Sequence, residues 1–155
     1  MATLNVSELA VLDDFLDSLG IAWEPVAKQG LYEGAREMKE ALVREIERLP
    51  VTKSDRYYFK AELPLTALRP TEKEGLLEGV GISKMKRDKD GISVSIGFDG
   101  YNKNGTPNAL VARSLAKGTS VQKPNRFVTR TFKATENRRV KAIVDKINSI
   151  KIQNK

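Results

Sequence analysis

The sequence predicts an α+β fold in which an antiparallel β-sheet with a long hairpin packs against N-terminal and C-terminal amphipathic helices. Three observations carry this. Ile92, Val94, Ile96 and Phe98 alternate with Ser93, Ser95 and Gly97, the period of a strand with one apolar face. Leu31, Ala35, Met38, Leu42, Ile46 and Leu49 recur at helical spacing. Phe132, Val140, Ile143, Ile147 and Ile150 do so again near the C-terminus. The apolar face of the strands needs a cover, and the helical stripes can supply it.

A chain of 155 residues fits one domain with a real core. Residues 1–50 read as its helical part, 51–108 as sheet and loops, and 109–155 as a short helix, a link and a C-terminal helix. At the start, Leu9, Leu12, Leu16 and Leu19 predict a helix capped by Ser7 and stopped by Gly20. A second helix spans about Leu31 to Leu49 and is closed by Pro50. Its other face carries Glu33, Glu37, Lys39, Glu40, Arg44, Glu45, Glu47 and Arg48, a solvated face with several i,i+4 pairs.

Residues 50–75 hold no clear period, being broken by Pro50, Pro64 and Pro70. Within them "DRYYFKAELPL" fits a short strand, Tyr57, Tyr58 and Phe59 fit core packing, and "RPTEKEG" reads as exposed loop. The hairpin follows, from about Leu76 to Phe98, turning through "RDKDG". Residues 100–130 are rich in Gly, Asn, Pro and Thr, with one short helix in their middle, "PNALVARSLAKG". Pro107 suits its first turn and Gly118 its stop, and Leu110, Val111 and Leu115 would dock it on the sheet. The second loop, "GTSVQKPNRFVTR", leads to a last helix from roughly Ala134 to Ile152.

Composition excludes several function classes. Without cysteine or histidine the chain has no disulfide, no thiolate nucleophile, none of the usual zinc sets and not the commonest general base. Glu72, Glu74 and Glu78 lie in loop-like chain and read as solvated surface. No catalytic residue, cofactor or metal site is expected. The apolar runs are too short to span a membrane, and the N-terminus lacks the pattern of a secretory signal, so an intracellular protein is expected. The net charge of +7 is uneven: residues 1–50 carry five basic and ten acidic side chains, and the remainder 22 and ten. Such asymmetry fits a charged partner, or head-to-tail contact between identical subunits.

The order of the pieces is distinctive: a helix, a Gly-Leu-Leu segment opening a hairpin, Tyr-Asn and a loop, "LVARSLAKGTS", then "KPNRFVTRTF" before the last helix. This resembles the tail-completion, tail-terminator or head–tail joining (neck) proteins of long-tailed bacteriophages and prophages. Tyr101, Asn102, Gly105, Thr106, Pro107 and Asn108 match the start of the family's motif. Gly118, Thr119 and Ser120 match its middle, and Pro124, Phe127, Val128 and Arg130 its end. The chain departs from it where Asn125 and Arg126 separate Pro124 from Phe127, and where Thr131 replaces a second proline.

The resemblance implies a structural virion protein without catalysis. It would assemble in the bacterial cytoplasm as a ring, usually of six copies, that ends the tail tube and meets the head connector or stopper. The tail sheath is a further candidate partner, and genomic DNA would pass through the centre without specific binding. The assembly surface expected is Gly79 and Gly81, where another backbone can approach; Lys84, Lys86 and Arg87 near the hairpin tip; and Tyr101, Asn102, Asn104, Asn108, Thr119, Ser120, Phe127 and Arg130 in the loops. Phe127 reads as an anchor pinning the link to the core. Loops 50–75 and 99–108 are expected to order on contact. The alternative is a basic nucleic-acid-binding module using residues 84–155, although its aromatic residues are not interleaved with its cations.

Overall fold

The computed structural model describes residues 2–5, 23–53, 67–89 and 91–153. The helix expected from Ser7 to Leu19, the strand before Pro64 and the Tyr57–Phe59 cluster lie outside them. The described residues form an α+β fold arranged around one strand.

That strand is β4, Gly91–Phe98. Its alternation is realised: Ile92, Val94 and Ile96 are buried in the core, and Phe98 packs against it. Strand β1, Ala2–Asn5, pairs antiparallel with β4, Ala2 opposite Ile96 and Asn5 opposite Ser93. On the other side of β4 run β2, Val80–Ile82, and then β3, Lys86–Asp88. Val80 faces Phe98 and Ile82 faces Ile96, yet Lys86 faces Ser93 and Arg87 faces Ile92, so residues 83–85 contain one residue more than the stretch of β4 they oppose. This is a β-bulge.

The bulge follows from where the apolar side chains fall. Strict alternation would turn Lys84 toward the core side; with the extra residue Met85 packs there instead, and Lys84 is exposed. The interrupted ladder keeps its hydrogen bonds. Ser83 N–H donates to the Ser95 carbonyl at 2.8 Å, and Ser95 N–H donates to Ser83 Oγ at 2.9 Å. The Tyr32 hydroxyl accepts from Met85 N–H at 3.0 Å and donates to the Ser83 carbonyl at 3.4 Å.

Tyr32 belongs to α1, Trp23–Arg48, the helix around which the core is built. Its predicted stripe, Leu31, Ala35, Met38, Leu42 and Ile46, is fully buried against the sheet and neighbouring helices. The helix begins well before Leu31. Gly30 and Gly34 hide this in the sequence because glycine weakens a helix interior. Both are used for close approach: a Cβ at Gly34 would lie 2.9 Å from Ile143 on the C-terminal helix.

Two further differences concern boundaries. The predicted loop "RPTEKEG" and the predicted first arm of the hairpin are one helix, α2, Pro70–Gly79, so the hairpin begins at Val80. Pro70 occupies the first turn, where its missing N–H costs nothing. Glu72 then accepts from Arg69 N–H at 3.0 Å and pairs with the Arg69 guanidinium at 2.7 Å. The stretch read as link before the C-terminal helix contains a helix of its own, α4, Phe127–Ala134, and the expected last helix follows beyond Thr135 as α5, Glu136–Gln153. Phe127 to Arg130 are therefore helix rather than link. Between hairpin and α4 lies α3, Asn108–Lys117, with Pro107 and Gly118 flanking it as predicted.

Core membership was misjudged at two valine and leucine positions. Val140 is 55% exposed and Leu110 50% exposed, each on the outer side of its helix, while Val111 and Leu115 do dock α3. A smaller apolar cluster joins Val26 of α1 to Ile147 of α5, with Ile143 and Ile150 against it.

Candidate assembly surface

The residues singled out from the sequence fall into separate groups. Lys84, Lys86 and Arg87 are exposed along the bulge and β3, and Arg87 reaches Glu24 at the start of α1 at 2.9 Å. At the opposite end of β4 lies the loop from Tyr101 to Thr106. Asn102 is its brace, and it is buried: its Oδ1 accepts from Asn104 N–H and Thr106 N–H, both at 3.0 Å. Loop 99–108 is held by bonds within its own chain.

Asn108 is buried as well, wedged against the small residues of α2. Its Nδ2 donates to the Asp99 carbonyl at 2.8 Å. Gly75 and Gly79 make room for it: a Cβ at Gly79 would stand 2.6 Å from Asn108 Nδ2, and one at Gly75 would stand 2.8 Å from Asn102 Cβ. Gly81 has open space around its Cα by comparison. Thus Gly79, Asn102 and Asn108 hold the loop to α2. Tyr101, 70% exposed, and Asn104 are displayed by it. Asn104 Nδ2 donates to Thr71 Oγ1 at 3.0 Å. The exposed Lys103 ammonium donates to Glu74 at 2.7 Å, and that hydrogen bond and the carboxylate charge hold its pKa above the ordinary value.

The second loop is built on Thr119, whose Oγ1 accepts from Val121 N–H at 3.2 Å and Gln122 N–H at 3.1 Å. Gly118 precedes it with φ of 76°, a left-handed conformation that favours glycine. Ser120 is exposed at the crest. Beyond it, Phe127 is fully buried with its ring 6.1 Å from that of Phe98, the anchor the sequence suggested. Arg130 projects from α4 toward Glu45 of α1 at 3.3 Å.

Sequence reasoning missed two features of this region. One is Arg139, which is buried: its Nε donates to Thr135 Oγ1 at 3.2 Å, its Nη2 donates to the Phe132 carbonyl at 2.8 Å, and its guanidinium lies 3.8 Å from the centre of the Phe132 ring. Burial pushes this group down from its ordinary pKa, with the Glu136 carboxylate opposing. The other is an open groove of about 530 Å³ between α3 and α4. Phe98, Val128 and Phe132 line it, Ala109, Ala112 and Ala116 give it width, and Arg113 and Lys117 stand on its border. A regular Ala spacing on α3 was the available signal.

The chain matches no family model, no curated protein and no solved structure. Among the described residues no helix is long and apolar enough to cross a membrane.

Proposed function

We propose that this chain is a self-assembling structural subunit of a phage or prophage tail, forming a ring that ends the tail tube and joins it to the head connector. The observation that carries the reading is the build of residues 100–130. Two loops, each braced by its own hydrogen bonds, flank one docked helix and hold Tyr101, Asn104, Thr119 and Ser120 outward. Tyr101, Thr119 and Ser120 are among the residues in which the sequence resembles the tail-completion family. Stiff, exposed loops lose little entropy when they meet a partner.

The sheet adds support. Among the described residues only β4 is paired with strands on both sides, so a neighbouring subunit can extend the sheet from β1 or β2. The exposed members of the expected surface, from Lys84 to Arg130, then form the contacts, and the buried ones shape them. Electron microscopy of the purified protein, alone and with tail tubes, tests the reading. Annular particles or caps at one tube end are expected; a protein that stays monomeric and ignores tube ends overturns it.

A second reading, nucleic-acid binding, is favoured by one observation. Residues 101–153 carry 12 cations against Glu136 and Asp145 alone. Micromolar, salt-dependent affinity of a stable monomer for duplex DNA would select it over the ring.

A further inference from the structure

We propose that Asn104 is a site of spontaneous covalent modification: it deamidates through a succinimide with Gly105, at a rate governed by the docking of loop 99–108 on α2. Of the chain's asparagines only Asn104 precedes a glycine. That pairing matters because the nucleophile is the backbone nitrogen of the following residue, and glycine has no side chain to bar its way. Gly105 sits at φ of 77°, a conformation that favours glycine, with nothing within 4 Å of where a Cβ would stand. Asn104 is exposed. Asn148 precedes a serine but lies inside α5, where the helix engages the backbone N–H groups.

The reaction balances with water alone as co-reactant. The Gly105 nitrogen loses its proton to solvent base and attacks Asn104 Cγ, forming the ring bond. The bond from Cγ to Nδ2 then breaks, and Nδ2 takes up a proton and leaves as ammonia. Water next adds to either ring carbonyl. Opening on one side gives aspartate. Opening on the other gives isoaspartate, whose main chain runs through the former side chain and is one carbon longer.

The docked loop restrains both reacting groups. Gly105 N–H donates to the Asn102 carbonyl at 2.9 Å, which engages the nucleophile's proton. Asn104 Nδ2 donates to Thr71 Oγ1 at 3.0 Å, which holds the carboxamide against α2. Ring closure removes that proton and expels Nδ2, so both bonds must be given up first. The reaction therefore proceeds from a locally opened loop, and its rate scales with the population of that opening. The product cannot dock as before: Nδ2 is gone, and the extra main-chain carbon of isoaspartate shifts Gly105 from the Asn102 carbonyl. Asn104 stands on the surface proposed for assembly, so aged copies present an altered loop there; the modification itself does not depend on that role.

Mass spectrometry of the full chain, held for days in mildly alkaline buffer with and without unfolding urea, tests this. A gain of one mass unit mapping to residue 104, rapid in urea and slow in the native protein, is expected, and Asn104→Gln should abolish it. Hydrogen exchange reads the same gate, because exchange of Gly105 N–H begins with the same proton loss. Its protection should match the native slowing of deamidation within about a factor of ten. Thr71→Val, which removes the oxygen that receives Nδ2, should speed the native reaction about fivefold, the factor of one lost hydrogen bond, with Thr71→Ser keeping the slow rate. No conversion at residue 104 in urea overturns the site. Equal rates with and without urea, an unprotected Gly105 N–H beside a slow native reaction, or a folded Thr71→Val chain that reacts at the wild-type rate overturns control by docking. These readings stand whether or not the chain forms rings.

Discussion

Gly79 and Gly81 flank the junction of α2 and β2, and their environments predict opposite outcomes for the same substitution. In Gly79→Ala the new Cβ would stand 2.6 Å from Asn108 Nδ2 and closer still to the Asp99 carbonyl oxygen, which is backbone and cannot swing aside. Overpacking of this kind costs about 1–3 kcal/mol. Displacing the Asn108–Asp99 hydrogen bond adds about 1 kcal/mol. Restricting the unfolded chain returns about 0.5–1 kcal/mol. The net loss is about 1–3.5 kcal/mol, or roughly 2–14 °C in Tm for a chain of this size. In Gly81→Ala the nearest atom is 3.9 Å away, so stability is unchanged or slightly raised. Urea and thermal unfolding followed by circular dichroism read both. Equal stabilities for the two variants would refute the assignment of loop 99–108 to the surface of α2.

Three other substitutions test the fold. Tyr32→Phe leaves Met85 N–H without its acceptor at the bulge and is expected to lower unfolding free energy by about 1–2 kcal/mol in urea titrations. Phe127→Ala empties a fully buried position and should cost about 3–5 kcal/mol, measured the same way. Thr135→Val removes the oxygen that Arg139 Nε donates to. It should cost about 1–3 kcal/mol, with Thr135→Ser recovering most of the loss by calorimetry.

Periodicity made the central features legible. The stripe from Leu31 to Ile46 and the alternation from Ile92 to Phe98 are long enough that one period wins; the stripe, Ile92, Val94 and Ile96 are buried as read, and Phe98 packs half-buried against them. The errors arise where local chemistry and tertiary contact compete with period. "RPTEKEG" is polar, and its helix is held by Pro70, by Glu72 folding back on Arg69 and by Leu76 in the core. None of these shows as a stripe. Gly30 and Gly34 look like helix breakers until Ile143 is placed against them. The extra helix Phe127–Ala134 ends at Thr135, whose hydroxyl donates to the Thr131 carbonyl at 2.8 Å, a contact that no spacing reveals. Of the proposed surface, Tyr101, Asn104 and Ser120 could be read as outward from their loop setting. Asn102 and Asn108 could not be distinguished from them, because asparagine serves equally as a turn brace and as a contact.

The extra residue between Ser83 and Met85 makes the sheet's border selective. A visiting strand that follows β2 in step would arrive at β3 out of phase, its side chains turned to the wrong side. To cover the whole border it must carry a matching irregularity at the same height. Casual visitors are thus limited to a few residues of purchase, and only a chain shaped for this border can zip along its full length.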